Sequence, residues 1–352
     1  MSKVVMDKSG AGAPTVSIAI PTFNSAWSLP QVLDALLRFE YDRRFLRVIF
    51  VDGESTDGTG ELIAKFAEIH GHEYESVVTL VARSGISRGR NICIEKAAGT
   101  DFLFFLDSDV VAGPETLGRL LAHLTGEKGV GMASLPYDSE NSRGKFGVLV
   151  RAFNTPTGPA KANKVAGGCV LIPMEVVRRV GPFNESLRYL EDGEYCYRVR
   201  SAGYEIVCDF SYPAKHLKQI SMGSASYARF VLDSASFYVV LARMGSPVYL
   251  ARYATSFGLI VALALLLARP GVDSVAAFAL LAVAAVAVNS SDRLWGDGST
   301  IKLRYKPLVG VVFSAVTVVI ALASIPVLFR KRAAPSRPAV SVSVQSASGD
   351  NL

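Results

Sequence analysis

The sequence predicts an α/β domain with a mostly parallel sheet and flanking helices, followed by an α-helical transmembrane domain. Short apolar segments alternate with segments of helical periodicity between residues 15 and 109. The strand segments are apolar on both faces, which is typical of a parallel sheet covered by helices. Half of the residues are hydrophobic and only 19% are charged, and long apolar runs concentrate after residue 245. This excess indicates the second, membrane-embedded part.

The α/β elements follow one another along the chain. The predicted strands are Thr15–Phe23, Leu46–Asp52, Ser76–Ala82 and Phe102–Asp109, and the predicted helices are Ser28–Phe39, Gly58–His70 and Ser87–Gly99. Three strands end in polar groups, at Thr22-Phe23-Asn24, Asp52 and Asp107-Ser108-Asp109. Ligands of parallel sheets collect beyond the carboxyl ends of the strands. We therefore expect the active site at this edge.

The remainder of the chain divides by composition. We expect a flexible N-terminus at 1–14, a globular domain at 15–222, an interfacial amphipathic region at 223–249, a transmembrane domain at 250–329 and a disordered tail at 330–352. The expected spans cover about 250–268, 272–289 and 307–329, each long enough to cross a hydrocarbon core. Buried core helices are the alternative. Two spans would place the basic residues at 330–332 inside, as the positive-inside rule favours.

Charge and targeting signals restrict the class of protein. The N-terminal residues 1–14 lack an apolar signal region, so we expect a multi-pass protein of the cell membrane with a cytoplasmic globular domain. The net charge of +6 suits an anionic membrane face or a phosphate-bearing substrate. Basic runs interleaved with aromatic residues do not occur, so nucleic acid is not an expected partner. The four cysteines show no metal-binding spacing and are expected to be buried thiols.

Asp107 and Asp109 are the first candidates for chemistry. Two neighbouring carboxylates need a compensating charge, and Mg²⁺ or Mn²⁺ with a diphosphate would supply it. The alternative for this pair is capping of the next turn.

Asp192, at a predicted helix start beside Glu191, is a candidate general base that takes a proton from an attacking hydroxyl. Its alternative is charge stabilisation of the helix dipole.

Two polar turns are candidate nucleotide contacts. Asp52 lies in a Gly-containing turn that can offer its carboxylate to a base or ribose, although it can equally be a structural turn residue. The segment at 83–91 gathers three arginines around two glycines at a helix start, which suits phosphate. A solvated basic turn is the alternative. Neither a Walker motif nor a G-x-G-x-x-G fingerprint is present.

The ordered runs "SIAIPTFN", "VDGESTDGT", "SRGRNICIEKAAGTDFLFFLDSD", "AGGCVLIPMEVVRRVGPFNESL" and "LEDGEYCYRVRSAGY" resemble family 2 glycosyltransferases of the GT-A fold, with a Rossmann-like sheet. The resemblance covers about residues 15–217. It implies an inverting enzyme that uses a nucleotide-sugar and Mn²⁺ or Mg²⁺. The implied nucleotide-sugar site is Pro21, Thr22, Phe23, Asn24, Asp52, Arg83, Arg90, Asp107, Ser108, Gly167 and Gly168. The implied metal site is Asp107, Asp109 and His216, and the implied catalytic pair is Asp192 with Glu191.

Some positions depart from the family pattern. Gly53 follows Asp52 where many members have a second Asp, which puts one base or ribose contact in doubt. Asn184 stands where Asp is common, and we expect this departure to change only the turn. His216 has the alternative of a structural role, because a lone histidine often packs without binding a ligand.

The apolar C-terminal part indicates a lipid-linked acceptor. A polyprenyl or dolichyl phosphate, or a glycan on such a carrier, would meet the basic residues Arg229, Arg243, Lys302 and Arg304 at the headgroup level. The layout is similar to dolichol-phosphate mannose synthases, which implies transfer of mannose from GDP-mannose for glycan biosynthesis. It is also similar to cellulose-synthase-like enzymes, but their Gln-x-x-Arg-Trp motif is missing. A processive polysaccharide synthase and an inactive nucleotide-sugar-binding scaffold remain as alternatives.

Overall fold

The structure, a computed structural model, describes residues 13–138, 153–217, 239–241, 243–269, 271–289, 300–301, 310–311 and 314–322. Its strands are β1 Val16–Thr22, β2 Leu46–Asp52, β3 Ser76–Val81, β4 Phe102–Leu106, β5 Val110–Val111, β6 Val130–Ser134, β7 Tyr137–Asp138, β8 Phe153–Asn154, β9 Pro159–Lys161, β10 Cys169–Pro173, β11 Glu205–Asp209, β12 Ala214–His216 and β13 Thr300–Ile301. Its helices are α1 Leu29–Leu36, α2 Thr59–His70, α3 Ile86–Lys96, α4 Thr116–Gly126, α5 Met174–Val180, α6 Glu191–Ser201, α7 Pro247–Ala268 and α8 Val272–Asn289.

Eight strands form one mixed sheet in the order β3-β2-β1-β4-β10-β6-β11-β9. The first four strands are parallel, and β1 pairs with β2 so that Thr22 lies beside Asp52. Strand β10 runs antiparallel between β4 and β6, with Cys169 opposite Leu106. The predicted α/β fold with a mostly parallel sheet is confirmed, whereas β6, β9, β10 and β11 follow the last predicted strand and were not predicted. The direction of β10 brings Gly168 next to Asp107.

The burial of the strands explains why their sequences are continuous apolar runs. Every residue of β1 is buried, and one face of the sheet contributes Ile18 and Phe104 to a core beneath α1, α2 and α4. The other face contributes Ile49 and Phe105 to a core that includes residues of α3, α5 and α6. Since both faces are covered, apolar residues are favoured at every position of the central strands.

Helix α3 begins and ends near the expected bounds. It ends at Lys96, and Gly99 follows in the left-handed region with φ 93°. A glycine adopts this conformation without the cost that a Cβ imposes. The reversal there returns the chain to β4 and thus sets the position of the carboxylates that follow β4.

A second, three-stranded sheet lies where the main sheet ends in carboxylates. Strand β12 pairs with β5, so that His216 lies opposite Val110, and it also pairs with β7. The backbone N–H of Leu217 donates to the carbonyl oxygen of Asp109 at 2.9 Å. The small sheet therefore carries His216 and Tyr137 to the segment that holds Asp109.

Helices α7 and α8 are long and apolar enough to cross a membrane. The apolar windows of Tyr249–Ala268 and Val272–Asn289 are only 17% and 11% buried within the protein. The two helices approach closely, because a Cβ placed on Gly258 would lie 3.2 Å from Cδ2 of Leu281. This low burial distinguishes them from ordinary core helices.

Parts of the expected C-terminal organisation lie outside the described residues. Of the third expected span, 307–329, residues 310–311 and 314–322 are described, and they are helical. Of the expected interfacial region, 223–249, only residues 239–241 and 243–249 are described. The expected flexible N-terminus is described only at residues 13–14, and the tail at 330–352 lies wholly outside. The domain boundaries stay predictions.

Candidate functional site

Asp52 is held at the junction of β1 and β2. Its side chain is buried, and its carboxylate accepts hydrogen bonds from the Thr22 hydroxyl at 3.3 Å and from the Ser55 backbone N–H at 3.1 Å. The hydroxyl of Ser55 donates to the same carboxylate. The backbone N–H of Gly53 donates to the carbonyl oxygen of Thr22 at 2.8 Å. The parallel register thus fixes Asp52 directly beside the end of β1, as expected from the strand order.

The loop after β1 is tied to the loop after β2 by backbone and side-chain hydrogen bonds. The side-chain oxygen of Asn24 accepts from the Thr56 N–H at 3.0 Å, and the Asn24 N–H donates to the Ser55 hydroxyl at 2.8 Å. Asn24 and Glu54 both have left-handed backbones, with φ 48° and φ 65°. Such strained positions cluster at functional sites. Phe23, which precedes Asn24, is 63% exposed, so its ring is accessible just after β1.

Asp107, Ser108 and Asp109 occupy the turn that links β4 to β5. The Asp107 N–H donates to the carbonyl oxygen of Gly168 at 2.9 Å. Ser108 faces the loop after β1, where its hydroxyl lies 2.7 Å from the hydroxyl of Ser25. Asp109 approaches His216, with 3.4 Å between Oδ2 and Nε2. The turn is therefore held from three sides, and its two carboxylates have different neighbours.

Arg90 is the cation at the centre of this site. It is 2% exposed, its Nη2 donates to Oδ1 of Asp107 at 2.9 Å, and its Nη1 donates to the carbonyl oxygen of Gly167. Its Nε lies 3.6 Å from Oε1 of Glu191, a separation longer than a good hydrogen bond. The guanidinium also lies 5.1 Å from the ring centroid of Phe105. Arg90 thus links the carboxylate after β4 to the carboxylates at the start of α6.

The other two arginines of the same segment are placed differently. Arg83 is exposed, and Arg88 approaches Glu95 and Glu185 at 3.4 Å each. Sequence reasoning grouped all three as phosphate ligands. The structure brings only Arg90 into contact with the candidate metal and base carboxylates, and it is buried by protein groups rather than presented to solvent.

The backbone of Gly167 and Gly168 lies between Asp107 and Asp192, and we call this two-residue stretch the Gly167-Gly168 passage. A Cβ on Gly168 would lie 2.1 Å from Oδ2 of Asp107 and 2.4 Å from the hydroxyl oxygen of Tyr137. A Cβ on Gly167 would lie 3.0 Å from Nη1 of Arg90. Only glycine fits at 168 without displacement of these groups. Two consecutive glycines therefore let the backbone pass against Asp107 and Arg90, and their expected contact with the sugar or acceptor stays a prediction.

Glu191 and Asp192 form the first turn of α6. Oδ2 of Asp192 accepts from the N–H of Gly167 at 3.3 Å, and its Oδ1 accepts from the N–H of Gly193 at 2.7 Å. Asp192 is half-buried, whereas Glu191 is buried beside Arg90. Of this pair, Asp192 is the carboxylate that keeps an exposed portion and so can meet an acceptor.

The electrostatics of the site show an excess of negative charge. Burial raises the pKa of Glu191 to about 7, Arg90 opposes the shift and Asp192 adds to it. Burial also raises the pKa of Asp107, and Arg90 again opposes while the negative charges of Asp109 and Asp192 add to it. One buried arginine, Arg90, faces the three carboxylates of Asp107, Glu191 and Asp192. A bound cation would therefore stabilise the ionised site.

The residues present fit Mg²⁺ or Mn²⁺ held jointly by protein and substrate. Among the described parts of the chain, no group of three or more His, Cys, Asp and Glu side chains is gathered as a metal cluster. Asp107 and Asp109 offer carboxylate oxygens, and 30% of the Asp107 side chain is exposed to a ligand. Mg²⁺ is typically held by one or two carboxylates together with substrate phosphates. This donor set matches that arrangement.

Tyr137 belongs to the site although sequence reasoning did not select it. Its ring stacks on His216 with centroids 4.9 Å apart and an angle of 14° between the planes. Burial, followed by the charge of Asp107, raises the pKa of Tyr137 well above its ordinary value. The only sequence signal was an aromatic residue just beyond an apolar segment. Ser25 and Ser28, whose hydroxyls reach Ser108, were also missed, because their contacts join segments about 80 residues apart in the chain.

Four basic residues were expected to meet a lipid phosphate. Arg229, Lys302 and Arg304 lie outside the described residues. Arg243 is described and exposed, and it lies before α7. Its role remains a prediction.

Part of the chain matches a family of known sequences. The sequence profile described as Glycosyl transferase family 2 matches residues 17–175. Glycosyltransferase AglE of Haloferax volcanii is 26% identical over 246 residues, which are 65% of this chain and 78% of that protein.

Solved structures share the fold at low sequence identity. A mannosyltransferase of Pyrobaculum calidifontis, PcManGT, in complex with GDP-Man and Mn²⁺, superposes with a TM-score of 0.57 at 19% identity and covers 89% of this chain and 87% of its own. Residues 1–349 of TarS of S. aureus, in complex with UDP-GlcNAc, give a TM-score of 0.52 at 14% identity and cover 94% of this chain and 97% of that one. These likenesses concern the fold.

Proposed function

Since residues 17–175 form a family 2 glycosyltransferase domain, we propose that the chain is an inverting, metal-dependent enzyme that transfers a hexose from a nucleotide-sugar to a lipid-linked acceptor. The family and the GT-A-like fold predicted from the sequence motifs are confirmed. The donor, the acceptor and the roles of individual residues are the proposal.

One observation carries the proposed reaction. The backbone of Gly167-Gly168 contacts Asp107 on one side, through the Gly168 carbonyl oxygen, and Asp192 on the other, through the Gly167 N–H. Arg90 pairs with Asp107 and approaches Glu191, the residue that precedes Asp192. A diphosphate needs charge neutralisation on one side of the reacting carbon, and an acceptor hydroxyl needs a base on the other side. The contacts of Asp107 and Asp192 with the same two glycines support these two roles at neighbouring positions.

The proposed chemistry assigns one task to each region. Asp52 and the Asn24 loop hold the nucleoside, with the ring of Phe23 beside it. Asp107 and Asp109 hold Mg²⁺ or Mn²⁺, which when bound neutralises the charge of the departing diphosphate. Asp192 accepts the proton of the attacking O–H, which is a sugar hydroxyl of a lipid-linked glycan or the P–OH of a polyprenyl phosphate. The oxygen then forms a bond to the anomeric carbon as the bond to the diphosphate oxygen breaks. Attack opposite to the leaving group inverts that carbon.

The donor we propose is GDP-mannose. A fold relative, PcManGT, was solved with GDP-Man and Mn²⁺, and this supports the choice. Another fold relative was solved with UDP-GlcNAc, so a uridine donor is the competing outcome. Asp52 can accept hydrogen bonds from either base or from ribose, and it therefore does not discriminate between them.

The acceptor we propose is a polyprenyl or dolichyl phosphate, or a glycan linked to one, at the cytoplasmic face of the cell membrane. Helices α7 and α8 support this, because they are apolar, long enough to span and mostly exposed within the protein. A hydrocarbon environment would cover that surface. In this arrangement Arg243, beside α7, and the basic residues at 229, 302 and 304 meet the acceptor phosphate.

A transfer assay tests the proposal directly. Full-length protein in lipid is supplied with a panel of radiolabelled GDP- and UDP-sugars, polyprenyl phosphate and Mn²⁺ or Mg²⁺. We expect a lipid-extractable labelled product that disappears with chelator. A long insoluble polymer would indicate a processive synthase instead. Donor binding without any transfer, across all donors and acceptors, would indicate an inactive scaffold.

The assigned base has a separate test. Asp192→Asn keeps the size of the side chain but lacks the basic carboxylate, so transfer should fall by at least about 100-fold while the donor Kd stays within about 2-fold. Asp34→Asn, in the exposed ion pair with Arg38 on α1, is the matched control and should retain full activity. Equal losses of donor binding and transfer in Asp192→Asn would make Asp192 a structural residue.

A further inference from the structure

Leu190, immediately before Glu191 and Asp192, has a left-handed backbone with φ 62° and ψ 21°. It is one of three non-glycine residues with positive φ in the described part of the chain, with Asn24 and Glu54. Asparagine tolerates this region because its short polar side chain can bond locally, but a leucine there is a genuine outlier. Such a conformation persists only where the surroundings hold it in place.

The surroundings of Leu190 come from two parts of the chain. Its side chain packs against a small apolar cluster of Leu187, Leu241 and Ile320, which we call the docking cluster. Leu187 belongs to the catalytic domain, while Leu241 and Ile320 belong to the C-terminal helical part. This cluster is separate from the two larger cores that cover the sheet.

Helix α6 is anchored on the same C-terminal part at a second point. Tyr197 packs against the docking cluster, and its hydroxyl lies 3.5 Å from the carbonyl oxygen of Met244. On the catalytic side, the Ser87 hydroxyl donates to the carbonyl oxygen of Leu187 at 2.8 Å. The segment at 187–190 is therefore held between α3 and the C-terminal helices.

The conformation of Leu190 decides where α6 begins. The carbonyl oxygen of Leu190 accepts the helical hydrogen bond from the Glu194 N–H at 3.1 Å. The left-handed residue turns the chain so that the first helical turn presents Asp192 to the N–H of Gly167. A right-handed or extended backbone at 190 would enter the helix from another direction, and the first turn would shift with it.

We propose that Leu190 is a positioning residue for the transfer reaction, and that the docking cluster holds its left-handed backbone so that Asp192 points at the Gly167-Gly168 passage. The inference rests on the proposed role of Asp192 as base. If the inference holds, turnover depends on how the C-terminal helices pack against the catalytic domain. Leu190 transmits this effect without a role in binding the donor or the metal.

A pair of substitutions separates backbone conformation from side-chain packing. Leu190→Ala removes the packing and keeps a Cβ, so the backbone should relax and kcat should fall by about 5- to 30-fold, the population change that the left-handed penalty implies. Leu190→Gly removes even more of the side chain but adopts positive φ freely, so it should retain kcat within about 3-fold of the wild type. The donor Kd should be unchanged in both variants.

A merely structural role predicts the opposite order. If Leu190 only fills space, the glycine variant loses at least as much as the alanine variant, because it leaves the larger void and loosens the unfolded chain. Activity is expressed per donor-binding site, so that a misfolded fraction does not count. A glycine variant no more active than the alanine variant would overturn the proposal.

A double-mutant cycle tests the docking cluster. Leu241→Ala should lower kcat in the wild-type background and have little effect in the Leu190→Gly background, because a glycine needs no packing to stay left-handed. Equal losses of kcat in both backgrounds would show that the docking cluster does not act through the backbone of Leu190, and would overturn its proposed role. Should wild-type protein transfer no sugar at all, the proposed function fails; should it transfer sugar while both Leu190 variants match it, only this inference fails.

Discussion

At the scale of single residues, Gly168 shows how closely the site is packed. A Cβ there would lie 2.1 Å from Oδ2 of Asp107 and 2.4 Å from the Tyr137 hydroxyl oxygen, distances that no relaxed structure keeps. Since both neighbours are part of the site, the substitution must displace functional groups.

We therefore expect Gly168→Ala to weaken nucleotide-sugar binding by at least about 10-fold, which corresponds to about 1.4 kcal/mol. Titration calorimetry with donor and Mn²⁺ measures this. Gly118→Ala in α4 is the matched control, because a Cβ there meets nothing within 4 Å. It should bind donor normally and stabilise the fold by about 0.4–1 kcal/mol. Normal donor binding by Gly168→Ala would contradict the assigned position of Asp107.

Arg90 is the second residue with a direct test. Arg90→Met removes the buried charge that faces Asp107 and Glu191, and the loss of one partner from a buried ion pair costs about 3–5 kcal/mol. Arg88→Met, whose partners lie at 3.4 Å near the surface, should cost less than about 1 kcal/mol. Denaturant unfolding of the full chain in detergent checks both values, and similar losses would show that Arg90 has no special role.

Glu191 predicts a pH dependence of stability. Its pKa is raised from 4.5 to about 7, chiefly by burial, so the folded chain keeps the proton where the unfolded chain loses it. The contribution of protonated Glu191 to the free energy of unfolding is fully present below about pH 4.5 and is lost as the pH rises to about 7. We expect the free energy of unfolding, with chelator present, to fall over this window and Glu191→Gln to flatten the fall. An unchanged slope in the variant would assign the effect elsewhere.

Sequence reasoning located the acidic residues of the site but not their partners. Asp52 and Asp107 could be predicted because each ends an apolar strand, and strand ends of a parallel sheet share one edge. The contacts of Arg90 with Gly167 and Glu191 could not, since they depend on β10 and α6 arriving from residues 167–192. A lone aromatic residue such as Tyr137 carries no periodic signal at all.

At the scale of elements, Asn91 joins α3 to the loop before α6. Its side-chain nitrogen donates to the carbonyl oxygen of Phe183 at 3.0 Å and to Glu185 at 2.8 Å, and its oxygen accepts from the Phe183 N–H at 2.7 Å. This buried side chain thus satisfies both backbone groups of one loop residue, as a strand neighbour would.

Asn91→Ala should destabilise the protein by about 2–4 kcal/mol, because it leaves two buried backbone groups of Phe183 without partners. Asn184→Ala in the same loop, which removes exposed hydrogen bonds to Ser186, should cost less than about 1 kcal/mol. Thermal unfolding distinguishes them. A small effect of Asn91→Ala would show that water replaces the lost partner and that the loop is less firmly attached than its contacts indicate.

The elements themselves were predicted with uneven success. Strands β1 to β4 and helices α1 to α3 follow the period of their apolar residues, so their order and approximate bounds were accessible. Strand β10 was not, because five apolar residues after two glycines do not reveal direction or neighbours. The antiparallel placement is a property of the assembled sheet, where β10 pairs with both β4 and β6.

At the scale of the whole molecule, the exposed apolar surface of α7 and α8 is the dominant feature beyond the catalytic domain. Leu263 is 45% exposed, and Leu265 and Leu267 are exposed as well. In water a surface of this size would favour aggregation, whereas a bilayer would cover it.

Leu263→Lys should therefore weaken membrane insertion, since a lysine at the centre of a span costs about 2.5–3.5 kcal/mol. Flotation of full-length protein with phosphatidylcholine vesicles after alkaline carbonate washing measures the bound fraction. Ile69→Lys on α2, at 48% exposure, is the control and should leave flotation unchanged. Wild-type protein released by carbonate would show that these helices do not insert.

The first turn of α6 contacts Gly167, and another side of α6 contacts the C-terminal helices. We therefore expect the choice of detergent to affect the turnover rate. A detergent that separates those helices would yield material that captures donor normally and yet turns over slowly. Reconstitution into nanodiscs should restore the rate. Inactivity in micelles alone is therefore no reason to classify such a preparation as a dead enzyme.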